Sequence, residues 1–378
     1  AKVSEADRLC DEAQAAEAQR AWADVQAKLQ KALRIDPNNV CSLYNYGRLL
    51  DYVWNNPEKA EQMYKRAIAA NPKHVPSLRN YGYFLYYVRK DYNGAASTWE
   101  RALQEQPSEL DVLSGYASLH YHIHGRLSKA EQLFNKALKV QPTHASTLHN
   151  YGKMLHYARG NFTRAEKLYK RVLENFPNHV GALLDYASLL QEFPEKLGMK
   201  KAHAIERAAE CWERVLVLNP NHFEALFALA KVEQFHRNRL TKAERLYKRV
   251  LAEGPMHLTA LSNYGFLLQS MGKIDAAQEQ YEKLVHHGQD ARYVEGLVNY
   301  GNLLGTHRKQ HAKAQQMYMR ALLTQPTRTI APAAMPGHQC WLCCNSSRVQ
   351  DLCCELMAQP EPEEQVWWLR GLGRIGAK

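Results

Sequence analysis

A short motif recurs along this chain at a nearly constant interval. Copies of Asn-Tyr-Gly begin at Asn45, Asn80, Asn150, Asn263 and Asn299. Related residues fill the gaps, so that a glycine or alanine falls at positions 47, 82, 117, 152, 187, 230, 265 and 301. Five of the seven steps are 35 residues, and the others are 43 and 36. A chain with such a period folds by stacking copies of one supersecondary unit, not around a single central core.

Each unit contains two stretches with helical periodicity. In the second unit Leu43, Tyr46 and Leu50 share one helical face, and Ala60 and Tyr64 lie on a second one. One such hairpin cannot bury its own apolar faces, so the units must stack on one another. A proline, which cannot continue a helix, closes most units: Pro37, Pro72, Pro107, Pro142, Pro177, Pro220 and Pro255.

The unit resembles the tetratricopeptide repeat family through Tyr46-Gly47, Ala60, Tyr64 and Pro72. The resemblance implies an all-α, right-handed α-solenoid of about nine helical hairpins. Most units differ from the family in having thirteen positions from glycine to alanine, as from Gly47 to Ala60. A 35-residue period also suggests the pentatricopeptide family, which binds RNA, but the Tyr-Gly, Ala, Tyr and Pro set favours the tetratricopeptide one.

We expect the solenoid to cover residues 1–326 and a C-terminal extension to cover 327–378. The extension is predicted to hold a linker, a capping helix over 347–358, and a tail containing cysteine and tryptophan. About eight extra residues in the sixth unit, around Glu192–Ile205, lengthen either its turn or its second helix. The predicted units are 4–37, 40–72, 75–107, 110–142, 145–177, 180–220, 223–255, 258–289 and 294–326.

The resemblance also implies that the first helix of each hairpin lines a concave groove. The groove-facing positions of the second to fifth units are rich in Tyr, Arg and His, and Tyr and Arg are typical of binding hot spots. The alternative is that these tyrosines pack on one another between repeats. The candidate partner-binding residues are Tyr44, Arg48, Asp51, Tyr52, Arg79, Tyr83, Tyr86, Tyr87, His122, His149, Lys153, His156 and Tyr157.

A chaperone-type carboxylate clamp, which some relatives carry, is not expected. It needs a Lys and an Asn four residues apart on one first helix, and Arg48 and Lys153 stand where that Asn should be. A ladder of basic residues along the second helices is a second candidate site, for nucleic acid. Helical periodicity places this ladder on the solvated outer face instead. It comprises Lys31, Arg66, Arg101, Lys136, Arg171, Arg214, Arg249, Lys283 and Arg320.

Histidines and cysteines raise the question of metal binding. Five histidines follow the unit-closing position by two residues, which marks them as boundary residues: His74, His144, His179, His222 and His257. The trio His120, His122 and His124 is expected at a helix end without metal. A zinc site built from Cys340, Cys343, Cys353 and Cys354 is the alternative to the capping helix. No cofactor is expected.

Charge and composition narrow the function. The net charge of +11 favours partners with acidic surfaces. No apolar run is long enough to span a membrane, and the widely spaced Cys10, Cys41 and Cys211 favour a soluble, intracellular, reducing setting. No nucleophile–base pair or phosphate-binding loop indicates an enzyme. We therefore expect a non-catalytic scaffold or adaptor subunit that binds proteins or peptides, the alternative being an RNA-associated repeat protein in a ribonucleoprotein or organelle RNA complex.

Overall fold

A computed structural model describes residues 4–287 and 294–324. These residues form α-helices joined by short turns, and no strand occurs within those two ranges. The predicted capping helix and the four tail cysteines lie outside the described residues. The helices are α1 Glu5–Ala18, α2 Trp22–Ile35, α3 Val40–Tyr52, α4 Pro57–Ala70, α5 Val75–Phe84, α6 Tyr92–Glu105, α7 Leu110–His122, α8 Leu127–Val140, α9 Ala145–Lys153, α10 Phe162–Asn175, α11 Val180–Glu192, α12 Lys201–Leu218, α13 Phe223–Phe235, α14 Leu240–Glu253, α15 Leu258–Ser270, α16 Ile274–His287, α17 Val294–Thr306 and α18 His311–Thr324.

Consecutive helices pair as hairpins, α1 with α2, α3 with α4, and so on, which gives the all-α solenoid expected from the sequence. The chain forms two compact units that meet in sequence at Ala225 and Leu226. The first unit holds α1 to α12. The second holds most of α13 together with α14 to α18. The extra residues of the sixth hairpin lengthen both its turn and its second helix. A 3₁₀ turn over Glu195–Leu197 precedes α12, and α12 has 18 residues where α10 has 14.

Five of the described hairpins close on a glycine packed against an aromatic ring, at Gly47, Gly82, Gly152, Gly265 and Gly301. A Cβ atom at Gly152 would lie 2.7 Å from Cε1 of Tyr169, and one at Gly265 would lie 2.7 Å from Cε1 of Tyr281. These distances are shorter than a normal carbon–carbon contact, so only glycine lets the two helices cross this closely. The alanine of the second helix, such as Ala165, is fully buried near the same crossing. The recurring small residues of the sequence are therefore helix-crossing positions.

Arginines of the basic ladder connect successive hairpins. Arg66 donates a hydrogen bond to the carbonyl oxygen of Pro37 at 2.7 Å, and Arg171 donates one to that of Pro142 at 2.7 Å. Arg101 and Arg214 make the same bond to Pro72 and Pro177. In each case the acceptor is the proline that closes the preceding hairpin. These four arginines of the ladder thus satisfy backbone carbonyls at the boundaries between repeats.

The boundary histidines begin helices. Nδ1 of His179 accepts a hydrogen bond from the backbone N–H of Ala182, and Nδ1 of His257 accepts one from Ala260, both at 3.1 Å. This is the N-cap interaction usually made by Ser, Thr, Asp or Asn. The interpretation of these histidines as boundary residues is confirmed by their geometry.

The extra residue between the two helices of a hairpin is accommodated in one recurring turn. The backbone N–H of Asn161 bonds to the carbonyl of Leu155, six residues earlier, and Gly160 before it has a φ of +62°. Lys90 occupies the equivalent position in the third hairpin with a φ of +56°. In these two hairpins the first helix widens into a π turn, over Leu85–Arg89 and Met154–Ala158. Such turns often mark functional positions.

A disulfide joins α1 to α3. The sulfur atoms of Cys10 and Cys41 are bonded, and the side-chain amide of Asn45 donates to Cys10 Sγ at 3.2 Å. Sequence spacing gave no reason to pair two cysteines 31 residues apart. The expectation of a reducing compartment rested on widely spaced, unpaired cysteines, and that premise is wrong for this pair. The compartment itself stays a prediction.

We expect Arg171→Ala to lower the free energy of unfolding by about 1 kcal/mol, because it leaves the Pro142 carbonyl without its donor. The measurement is urea denaturation followed by circular dichroism. Lys167→Ala is the matched control, since Lys167 is exposed on the same helix. Equal effects of the two substitutions would contradict a role for Arg171 between repeats.

We expect Lys90→Gly to raise the free energy of unfolding by about 1 kcal/mol, because a left-handed backbone is costly for any residue with a Cβ atom. Gly160→Ala, at the equivalent position, should lower it by a similar amount. Thermal unfolding of both variants measures the effect. Changes of the same sign in the two variants would show that φ does not control stability at this turn.

Candidate protein-binding groove

The predicted groove residues all lie in the first compact unit, on helices that pack side by side. Helices α3, α5, α7, α9 and α11 are successive neighbours. The candidate residues lie on the first four of these helices and on the two π turns, which carry Tyr86 and Tyr87 and then His156 and Tyr157. Because each helix presents the same repeat positions, residues 35 apart in sequence are expected to lie along one line.

Four aromatic residues at the end of the first helices face solvent. Tyr52, Tyr87 and Tyr157 are 64%, 59% and 52% exposed, and His122 is also exposed. Each is 35 residues from the next. We call these four residues the aromatic column. Glu192 takes the same position in the sixth hairpin, and the column ends there.

The remaining tyrosines of the predicted groove are packed: Tyr44 and Tyr83 contact the next repeat, and Tyr86 packs within its own hairpin. The hydroxyl of Tyr83 donates to the backbone carbonyl of Asp111 at 2.6 Å, and its ring lies edge-on against Trp99 at 5.1 Å. The ring of Tyr86 also contacts Trp99, at 5.9 Å. The hydroxyl of Tyr44 accepts a hydrogen bond from the Asn80 amide at 3.1 Å. The sequence left open whether the groove tyrosines pack between repeats, and Tyr44 and Tyr83 make such contacts through their hydroxyl groups.

The arginines of the groove are engaged in ion pairs within the protein. Nη2 of Arg48 lies 3.0 Å from Oε1 of Glu17, and Nη1 of Arg79 lies 2.8 Å from Oε1 of Glu109. The carboxylate of Asp51 accepts a hydrogen bond from the Tyr64 hydroxyl at 3.4 Å, and burial raises the pKa of this carboxyl. The charges predicted to recognise a partner are therefore largely balanced inside the fold.

Asp185 is a groove residue that the sequence did not single out. One of its oxygens lies 2.6 Å from Nε2 of His149, and the other accepts a hydrogen bond from the Tyr157 hydroxyl at 2.9 Å. Burial opposes ionisation, but the His149 hydrogen bond, the Lys153 charge and Tyr157 together hold the pKa of Asp185 below its usual range. Asp185 stands at the repeat position that Asn150 fills in the previous hairpin. The change from asparagine to aspartate at this repeat position is the feature of the sequence that could have identified Asp185.

Two of the three groove histidines, His122 and His156, differ in exposure. His156 is buried, its ring stacks on Tyr157 at 4.0 Å, and neither ring nitrogen makes a hydrogen bond within the described residues. Burial lowers the pKa of His156, and burial with the Lys153 charge lowers that of His122. Both imidazoles are thereby biased toward the neutral form.

The histidine trio lies at the end of α7. The rings of His120 and His124 are 5.5 Å apart, and burial lowers the pKa of His120 to about 4. Within the part of the chain that the structure describes, no three His, Cys, Asp or Glu side chains are grouped to hold a metal.

Across the described ranges, none of the helices has the length and apolar character needed to cross a membrane.

Comparisons with known proteins agree with this architecture. Models of the tetratricopeptide repeat match residues 28–62, 85–145, 154–192, 201–264 and 234–299, which together are more than half of the chain. A search of curated proteins finds no match.

Solved structures with a similar fold include a monomeric IFIT1 mutant with m7Gppp-AAAA, at TM-score 0.53 and 18% identity over 84% of this chain and 71% of that one. They also include PilW, described as a type IV pilus biogenesis factor, with a TM-score of 0.50 and 18% identity over 60% of this chain and 97% of that one. PilF of Pseudomonas aeruginosa has a TM-score of 0.48 and 20% identity over 58% of this chain and 95% of that one. At such identities the likeness concerns the fold alone. The glycine–aromatic crossings, the stacked hairpins and the repeat matches show that the chain belongs to the tetratricopeptide repeat family.

Proposed function

We propose that this chain is a non-catalytic scaffold that holds partner proteins against the face formed by α3, α5, α7 and α9. The observation that carries the proposal is the aromatic column. Three tyrosines, each more than half exposed, and one histidine occupy the same position in four consecutive repeats. Exposed tyrosines on a rigid face lose little conformational entropy on binding and contribute strongly to interfaces.

The surroundings of the column support a binding role. Tyr83 and Tyr86 are fixed against Trp99 beneath the exposed Tyr87, and Asp185 holds the hydroxyl of Tyr157. The positions of Tyr87 and Tyr157 are thus fixed by these contacts before a partner arrives. Such preorganisation reduces the entropic cost of association.

A protein partner fits this face better than RNA does. A phosphate backbone needs cations that are not already paired, but Arg48 and Arg79 on this face are paired with glutamates. The RNA named with the IFIT1 structure belongs to that protein. The net charge of +11 still favours a partner with acidic surfaces next to the groove.

We expect the variant Tyr52→Ala, Tyr87→Ala, Tyr157→Ala to lose most partner capture while keeping its helical circular dichroism, because the three rings are exposed. The measurement is affinity purification with mass spectrometry and with quantification of co-purified RNA. A control variant removes three apolar residues of similar exposure outside the groove, Ile35→Ala, Val140→Ala and Phe176→Ala.

The proposal is overturned if the two variants retain the same partners as the wild-type chain. It is also overturned if the material lost by the groove variant is RNA whose capture by the wild type falls steeply with salt, which would favour the ribonucleoprotein alternative.

A further inference from the structure

The aromatic column has a regular spacing that restricts the shape of its ligand. Its four members lie on successive first helices that pack directly against one another. Packed helices have axes about 8–10 Å apart. A ligand that contacts each ring in the same way must therefore repeat its own structure about every 9 Å.

One peptide conformation has that repeat. The polyproline II helix has three residues per turn and rises about 3.1 Å per residue, so each turn advances about 9 Å. A β-strand presents the same face about every 7 Å, and an α-helix turns every 5.4 Å. Neither matches a spacing of one ring per repeat.

The hydrogen-bonding groups of the column fit the same ligand. The hydroxyls of Tyr52 and Tyr87 make no hydrogen bond to the described residues, whereas that of Tyr157 is held by Asp185. A proline-rich chain has carbonyl acceptors and almost no N–H donors. It therefore needs a surface that offers donors and flat apolar rings, and aromatic-lined grooves bind such chains in other proteins.

The charges next to the column do not call for a charged ligand. Arg48 is paired with Glu17, Arg79 with Glu109, and Asp185 with His149. Lys153 lies close enough to Asp185 to lower the pKa of that carboxyl. The face is thus aromatic, rich in hydroxyl groups and nearly neutral, like the peptide that its spacing fits.

We propose that the aromatic column binds a proline-rich segment of its partner in the polyproline II conformation, with one turn against each of Tyr52, Tyr87, His122 and Tyr157. This inference rests on the proposed function and specifies its ligand. Four rings cover three intervals, which corresponds to a segment of about ten residues. The ligand's conformation is largely formed before binding, so little entropy is lost.

The test is fluorescence anisotropy with labelled peptides of six, ten and thirteen prolines. We expect affinity to rise from six to ten prolines, as the last ring is reached, and to change little from ten to thirteen. A ten-residue Gly-Ser peptide and a uridine decamer serve as comparison ligands. The full chain is used throughout.

Tyr87→Ala should weaken binding of the ten-proline peptide by about tenfold or more, and Tyr87→Phe by less, since the ring remains. Phe176→Ala is the control, because Phe176 is exposed outside the groove. Circular dichroism checks that each variant is folded.

The inference is overturned if ten prolines bind no more tightly than the Gly-Ser peptide, if Phe176→Ala weakens binding as much as Tyr87→Ala, or if the uridine decamer alone binds the column. In the first case, loss of partner capture by the triple tyrosine variant would still uphold the proposed function with a different peptide chemistry.

Discussion

A close contact between a small residue of the first helix and a ring of the second, most often a glycine against an aromatic ring, sets how tightly the two helices of a hairpin cross. Tyr169 lies against Gly152 so closely that a methyl group could not be inserted. This crossing recurs with Gly47, Gly82, Gly265 and Gly301, and alanine takes the same position in the fourth hairpin, at Ala117. Hairpins with similar crossings stack at similar intervals, and for that reason exposed residues at one repeat position form a row. The spacing of the aromatic column is thus a consequence of packing in the core.

Much of this architecture could be predicted from the sequence, because its cause is local. Periodicity within 35 residues identifies the helices, and the recurrence of Gly and Pro identifies the hairpins. Which tyrosines remain exposed depends instead on one turn of helix: Tyr83 meets Trp99 and the Asp111 carbonyl, whereas Tyr87, four residues later, stands in solvent. That difference arises from contacts within the hairpin and with the next one, which helical periodicity alone does not specify.

Contacts between neighbouring repeats also explain the side-chain pairs that were not predicted from the sequence. His149 and Asp185 are 36 residues apart and meet because α9 and α11 are neighbours. From the sequence, the basic ladder resembled a binding site for phosphate groups. In the structure, arginines of the ladder donate hydrogen bonds to the carbonyls of the prolines that close the preceding hairpins. In a repeat protein, residues about one period apart meet systematically. A row of identical charges is therefore as compatible with internal bonding as with a ligand.

The Cys10–Cys41 bridge covalently joins the first helices of two neighbouring hairpins. Neighbouring repeats in a solenoid are otherwise held together by the packing between them. A cross-link closing a loop of this length contributes roughly 3–4 kcal/mol. While the bridge is formed, the α1–α2 hairpin cannot separate fully from the α3–α4 hairpin. Under reducing conditions the contact between these two hairpins depends on packing alone, so the redox state of the surroundings changes how easily they separate.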